Sequence, residues 1–227
     1  MVLSMRVRKS GKHGVSPFDD AAIEYDEWFT RHPDLFESEL LALKQALPAG
    51  GHGIEIGVGT GRFAKSLGIK TGIDPAPRMA EVARARGINV AVAPAEKIPS
   101  PNESFDYAML VTVDCFLNQL EPALSEIWRI LKPGGSIVIG MIDRLSRLGK
   151  TYLQKQTSNK FYADAKFHSP DELTAHLRDA EFEEAEYWQS LIHPDSGQVE
   201  QPERGYGKGG FVVIRARKPL RLLKRQT

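Results

Sequence analysis

The 227 residues carry 30 Lys+Arg against 29 Asp+Glu, with 41% hydrophobic and 26% charged side chains, the balance of a globular chain rather than a disordered or fibrous one. No apolar run approaches the roughly 18 residues of a membrane-spanning helix, and a lone cysteine, Cys115, rules out an internal disulfide and a multi-cysteine zinc site. The length fits one large domain or two small ones, and the chain reads as cytoplasmic, because its basic start (Arg6, Arg8, Lys9, Lys12) lacks the apolar core of a secretory signal.

In chain order, Ser16-Pro17 predicts a cap and first-turn proline for a helix over 18–29, where Phe18, Ala22, Tyr25 and Phe29 recur at helical spacing. A second helix is expected over 34–47, stopped by Pro48 and Gly50-Gly51. Strands and helices then alternate. Strands are predicted at 53–56, 69–73, 88–93, 105–111 and 136–142, with helices at 62–67, 79–86 and 120–131 between them. That rhythm implies parallel βαβ units buried on both faces. Residues 143–168 read as a polar, partly aromatic insertion. Ser169 and Glu172 have the spacing of a capping box opening a helix to Ala180. Two strands at 183–191 and 209–216 follow, joined without a helix and so expected to pair antiparallel. The fold class is therefore α/β: a Rossmann-like three-layer sandwich with a seven-stranded, mostly parallel sheet, an antiparallel last strand and a helical N-terminal cap. One domain is expected over 17–217, with 17–50 as its cap helices, between a flexible basic start (1–16) and a basic tail (218–227).

The chemistry-bearing segment is Glu55-Ile56-Gly57-Val58-Gly59-Thr60-Gly61, between a strand and a helix. Glycines there let the backbone turn sharply beside a ligand, and the helix start supplies free N–H groups. Asp74, at the end of the next strand, has the position and chemistry to accept hydrogen bonds from both ribose hydroxyls. A dinucleotide and S-adenosylmethionine compete as the ligand. The dinucleotide fingerprint needs a sixth-position glycine, and Arg62 stands there. The G-x-G-x-G spacing with Glu55 upstream suits a ligand with an amino-acid end and no phosphate.

Four segments in order resemble the class I S-adenosylmethionine-dependent methyltransferases, in the type 11 group that includes the ubiquinone/menaquinone methyltransferases. They are Phe18-Asp19 with Tyr25-Asp26-Glu27-Trp28-Phe29, the glycine motif itself, Ala95-Glu96-Lys97-Ile98-Pro99 with Ser104-Phe105-Asp106, and Ile127 to Gly135 (I-W-R-I-L-K-P-G-G). The resemblance implies S-adenosyl-L-methionine as cofactor, leaving as S-adenosyl-L-homocysteine. It places Glu55, Gly57, Gly59 and Gly61 at the methionine end, Asp74 at the ribose, and Pro75 and Met79 near the adenine face. It also gives Ala95 and Glu96 to the adenine ring and Thr112 to the methionine moiety, with Tyr25 on a helix covering the cofactor. Pro94 stands where many relatives have an Asp reaching the adenine amino group, so adenine recognition here is expected to rest on backbone contacts.

Strands five and six end on the ligand-binding rim of such a sheet. The long irregular stretches 143–168 and 192–208 are therefore expected to form the acceptor pocket and its lid. Its candidate side chains are Tyr152, Tyr162, His193, Arg204 and Tyr206, joined by Tyr25 of the cap helix, with Asp114, Asp143 and His168 as candidate bases. No histidine shows metal-ligand spacing. A small-molecule acceptor is expected, since the [DN]-P-P-[YF] signature of adenine amino methylation is absent; an RNA or protein methyltransferase and a non-enzymatic binding module are the alternatives. Residues 1–14 and 215–227 hold ten basic side chains and no acid, so the body between them has 20 basic against 29 acidic residues. An acidic body argues against broad phosphate-backbone binding.

Overall fold

The computed structural model describes residues 17–117 and 119–220. The Ser16 cap, the basic start and Arg221, Lys224 and Arg225 lie outside the described residues.

The chain opens with α1 (Pro17–Asp20), α2 (Ala22–Arg31) and α3 (Pro33–Ala46). The single helix expected over 18–29 is thus divided at Ala21, which has left helical geometry. The alternating region follows as β1 (Gly53–Ile56), α4 (Arg62–Leu67), β2 (Thr71–Asp74), α5 (Pro77–Ala85), β3 (Asn89–Val92), β4 (Phe105–Val111), α6 (Leu120–Ile130) and β5 (Leu131–Ile142). Then come α7 (Arg147–Lys155), α8 (Pro170–Asp179), β6 (Glu183–Ser190), β7 (Glu203–Arg204) and β8 (Phe211–Arg217). The sheet order is β3-β2-β1-β4-β5-β8-β6-β7. β3 through β5 run parallel, and β8 lies antiparallel between β5 and β6. The seven expected strands are present, and the two-residue β7 adds an eighth on the β6 edge.

Period-two alternation sorts the strands' side chains between two helical layers. Tyr107, Met109, Val111, Val138 and Ile142 pack with α3, α4 and α5. Ala108, Leu110, Ile137, Ile139 and Met141 pack with α6 and α8. Both faces are apolar, which is why these strands read as continuous hydrophobic runs. α6 passes directly into β5, and the turn 132–135, expected to separate them, is an irregularity inside the strand's start.

The insertion 143–168 is more ordered than its polarity suggests. Ser146 caps α7, its hydroxyl accepting from the Gly149 amide at 2.9 Å. The basic tail is also partly built in. Lys218 is buried, and its ammonium donates to the carbonyls of Trp128 (2.8 Å) and Leu131 (2.7 Å) at the end of α6, where a cation offsets the helix dipole. Arg215 pairs with Glu186 and Arg217 with Glu184. Among the described residues no helix is long and apolar enough to cross a membrane, and no cluster of His, Cys, Asp and Glu could hold a metal ion.

The capping box at α8 is formed both ways: the Glu172 amide donates to Ser169 Oγ, and the Ser169 amide donates to the Glu172 carboxylate at 2.8 Å. Ser169→Ala is expected to cost about 1 kcal/mol, read as a lower urea midpoint at an unchanged m-value.

Candidate active site

β1 delivers the chain into the glycine turn, which has left-handed backbone at Gly57, φ 67°. A Cβ there would lie 2.5 Å from Val113 Cγ2, so a side chain is excluded by both conformation and space. Asp74, at the end of β2, closes the turn. One carboxylate oxygen accepts from the Gly59 amide and the other from the Ala76 amide, each at 2.8 Å. Burial raises the Asp74 pKa, and the two amides oppose the rise. A cavity of about 110 Å³ opens against this frame. Of the expected cofactor residues, Gly57, Gly59, Asp74, Pro75, Met79 and Thr112 line it, and Tyr25 closes it from α2. Phe18, Val113 and Phe116 line it as well.

Four expected cofactor residues do not line this cavity. Gly61 faces α5, where a Cβ would sit 3.0 Å from Ala83 Cβ, so it serves helix packing. Ala95 is buried in the core layer beside α6, and neither it nor Glu96 lines the cavity. Glu55 lies buried on β1, and its Oε2 has no hydrogen-bond partner. Burial pushes its carboxyl well up.

A second cavity, of about 680 Å³, adjoins the first through two shared walls, Tyr25 and Thr112. Thr112 has φ 52°, a left-handed conformation unusual for a β-branched residue. α2 contributes Trp28, α3 contributes Glu39, and the insertion contributes Tyr152, Phe161 and Tyr162. The rings pack edge to face: Tyr25 on Phe161 at 5.6 Å and Tyr152 on Tyr162 at 4.9 Å. Burial pushes the Tyr152 hydroxyl up to about 12, with the Glu39 charge adding to it, and burial also raises Tyr25 and Tyr162. Glu39 is 6% exposed, and burial moves its carboxyl up to about 8. Sequence reasoning missed it, although an acid amid Leu35, Ala42, Leu43 and Ala46 on the apolar stripe of α3 was a visible signal.

The candidate bases are partly brought together. His168 Nδ1 lies 3.1 Å from Asp114 Oδ2, and Asp114 Oδ1 is buried without a partner. Asp143 stands apart, accepting from the Leu145 amide at 2.9 Å and so shaping the turn into α7. None of the three lines either cavity. The expectation of an acceptor pocket built from 192–208 is corrected. His193 is an exposed residue whose amide donates to Glu200. Arg204 pairs with Glu186 over the Trp188 ring, and the Tyr206 hydroxyl donates to Asp171 at 2.6 Å. Pairing of β7 with β6 draws this loop along the sheet edge instead of over the cavity.

Asp26, from the first resemblance segment, fastens α2 to the glycine turn. Its carboxylate accepts from Thr60 Oγ1 (2.6 Å), Arg62 Nε (2.9 Å) and Nη2 (2.7 Å), and Arg86 Nη2 (2.7 Å). Arg86 also donates to the Thr60 carbonyl. Arg62, the residue that spoils a dinucleotide fingerprint, therefore binds the cap helix.

A parallel sheet with a glycine turn and a carboxylate at adjacent strand ends defines a nucleoside-cofactor site of the Rossmann-like class. The family model described as "Methyltransferase domain" matches residues 54–139. A Thermotoga maritima structure, a SAM-dependent methyltransferase described as a possible histamine N-methyltransferase, is 46% identical with a TM-score of 0.87, over 89% of this chain and 98% of that one. An uncharacterised Methanocaldococcus jannaschii protein is 43% identical over 88% of this chain and 98% of its own length. The ubiquinone/menaquinone biosynthesis C-methyltransferase of Coxiella burnetii is 30% identical over 53% of this chain and 54% of its own. The chain belongs to the class I S-adenosylmethionine-dependent methyltransferases, and S-adenosylmethionine is its cofactor. The residues present suit that molecule: a carboxylate for a ribose, a side-chain-free turn, an apolar Met79 wall, and in Glu55 a buried carboxylate oxygen with no protein partner.

Burial would raise the Asp26 pKa, but the hydrogen bonds from Arg62, Arg86 and Thr60 outweigh it and hold the carboxyl well below the usual range. Its stabilisation is full above about pH 4, the unfolded value, and is lost as the pH falls through the folded one. Asp26→Asn is expected to lower stability by about 1–2 kcal/mol near neutral pH and to converge with the parent in acid, as thermal melts across pH will report.

Proposed function

We propose that the chain transfers a methyl group to a small-molecule acceptor held in the larger cavity. The observation that carries this reading is the common wall: Tyr25 and Thr112 belong to both cavities, so a molecule in the larger one abuts the cofactor site. In this reading Asp74 binds the ribose, Gly57 and Gly59 admit the methionine end, and Glu55 answers its ammonium. Pro75 and Met79 flank the adenine. S-adenosylmethionine supplies an electrophilic sulfonium methyl. The chain's own part is to orient the acceptor for in-line attack and to exclude water with the aromatic wall. Asp114, Asp143 and His168 are not assigned as bases, because they line neither cavity. The acceptor ascribed to the Thermotoga relative, histamine, is a small molecule, and the acidic body speaks in the same direction.

Asp74→Ala is expected to weaken S-adenosylmethionine binding by about 1.5–3 kcal/mol, roughly 10- to 100-fold, measured by titration calorimetry. An unchanged dissociation constant removes the ribose assignment. Transfer of methyl label to RNA or protein, with none to a metabolite pool, overturns the small-molecule reading.

A further inference from the structure

We propose that the acceptor is a small amine on an aromatic or apolar body, and that Glu39 is the carboxylate that binds its ammonium group. The inference rests on the reading of the larger cavity as the acceptor site, and it deepens that reading.

Glu39 sits on α3 with Ala42 and Leu43 fully buried beside it, and it lines the cavity. Among the described residues no cation is paired with it. The titratable groups around it do not neutralise it. Tyr25 of α2, Tyr152 of α7 and Tyr162 after it stay protonated, their hydroxyls raised by burial. Arg31 and Lys155 lie exposed at the rim, and Lys160 is paired with Glu24. Behind α3, Arg215 is paired with Glu186, and Arg62 of α4 with Asp26.

A buried carboxylate without a partner costs several kcal/mol, so in the empty cavity the group takes up a proton instead. A bound ammonium reverses that balance, since it supplies both charge and donors. The aromatic side chains of Tyr25, Trp28 and Phe161 in the same wall suit an apolar body on the ligand. A neutral alcohol meets the hydrogen-bond need but leaves the charge uncompensated, and a carboxylate ligand adds repulsion. Of these chemistries the amine answers every feature of the wall.

The test uses the full chain saturated with S-adenosyl-L-homocysteine, which binds without turnover. Titration calorimetry compares 2-phenylethylamine, 2-phenylethanol and phenylacetate. The amine is expected to bind at least about tenfold tighter than the alcohol, with phenylacetate weakest, and Glu39→Gln is expected to abolish the preference. With the free carboxyl at about 8, amine binding near pH 7 expels close to one proton. This is read from the dependence of the heat on buffer ionisation, and the release fades as the pH rises past that value. Proton release is measured on the parent chain alone, so it decides the matter even if the variant fails to fold. An alcohol binding as tightly as the amine, amine binding to the parent near pH 7 without proton release, no binding of any probe at millimolar concentration, or amine preference and proton release that survive Glu39→Gln would each overturn the proposal. Failure of S-adenosyl-L-homocysteine to bind is a separate result: it strikes the methyltransferase reading, and the amine titration is then repeated on the chain alone.

Discussion

The carboxylate of Asp26 holds the site together. Its four hydrogen bonds join a helix that precedes the sheet to the turn that leaves the first strand. α2 has little intrinsic claim to that place: only Ala22 and Phe29 of its residues are fully buried. A charged group bonded by two guanidinium groups and a hydroxyl supplies the directional attachment that a thin apolar face does not. The attachment has a geometric result. It brings Tyr25, one residue before Asp26, against Gly59, whose absent Cβ would stand 3.9 Å from the tyrosine ring. The smaller cavity and the larger one are neighbours with this ring in the wall of both.

The same construction sets the chemistry of the wall. The tyrosines that line the larger cavity are enclosed by other rings, and their hydroxyls are raised in pKa by burial. They remain neutral at ordinary pH, so they carry no charge into this space. Of the two carboxylates that line this space, Glu24 is exposed and Glu39 is the buried one. Water exclusion and charge control therefore come from one set of side chains, contributed by α2, α3 and the stretch after α7.

Much of this was legible in the sequence. Alternating apolar runs separated by Gly and Pro marked the parallel strands, and Gly57, Gly59 and Asp74 line one cavity. What escaped was nonlocal. α7 hides in a polar segment because it is held by a serine cap and by one face against the cavity, not by a broad apolar stripe. Glu39 lies on the apolar stripe of α3, but the cavity it lines is closed by Tyr152 and Tyr162, far along the chain. The loop 192–208 was placed on the rim by the direction of β6, but a two-residue pairing with that strand turned Arg204 and Tyr206 along the edge. Gly61 shares a motif with Gly57 and Gly59, yet its neighbour is α5. Spacing along a chain does not distinguish a glycine that admits a ligand from one that admits a helix.

The buried Lys218 has a further consequence. The carbonyls it satisfies belong to Trp128 and Leu131, 90 and 87 residues earlier, and β8 is the strand that covers the free edge of β5. During synthesis the ribosome releases every residue that lines the two cavities well before it releases β8 and Lys218. Until β8 and Lys218 emerge, β5 has one edge paired with β4 and the other edge open, and the end of α6 lacks its cation. The domain is thus finished by its C-terminal segment, and the interval before that segment emerges is when a chaperone has an exposed strand to hold.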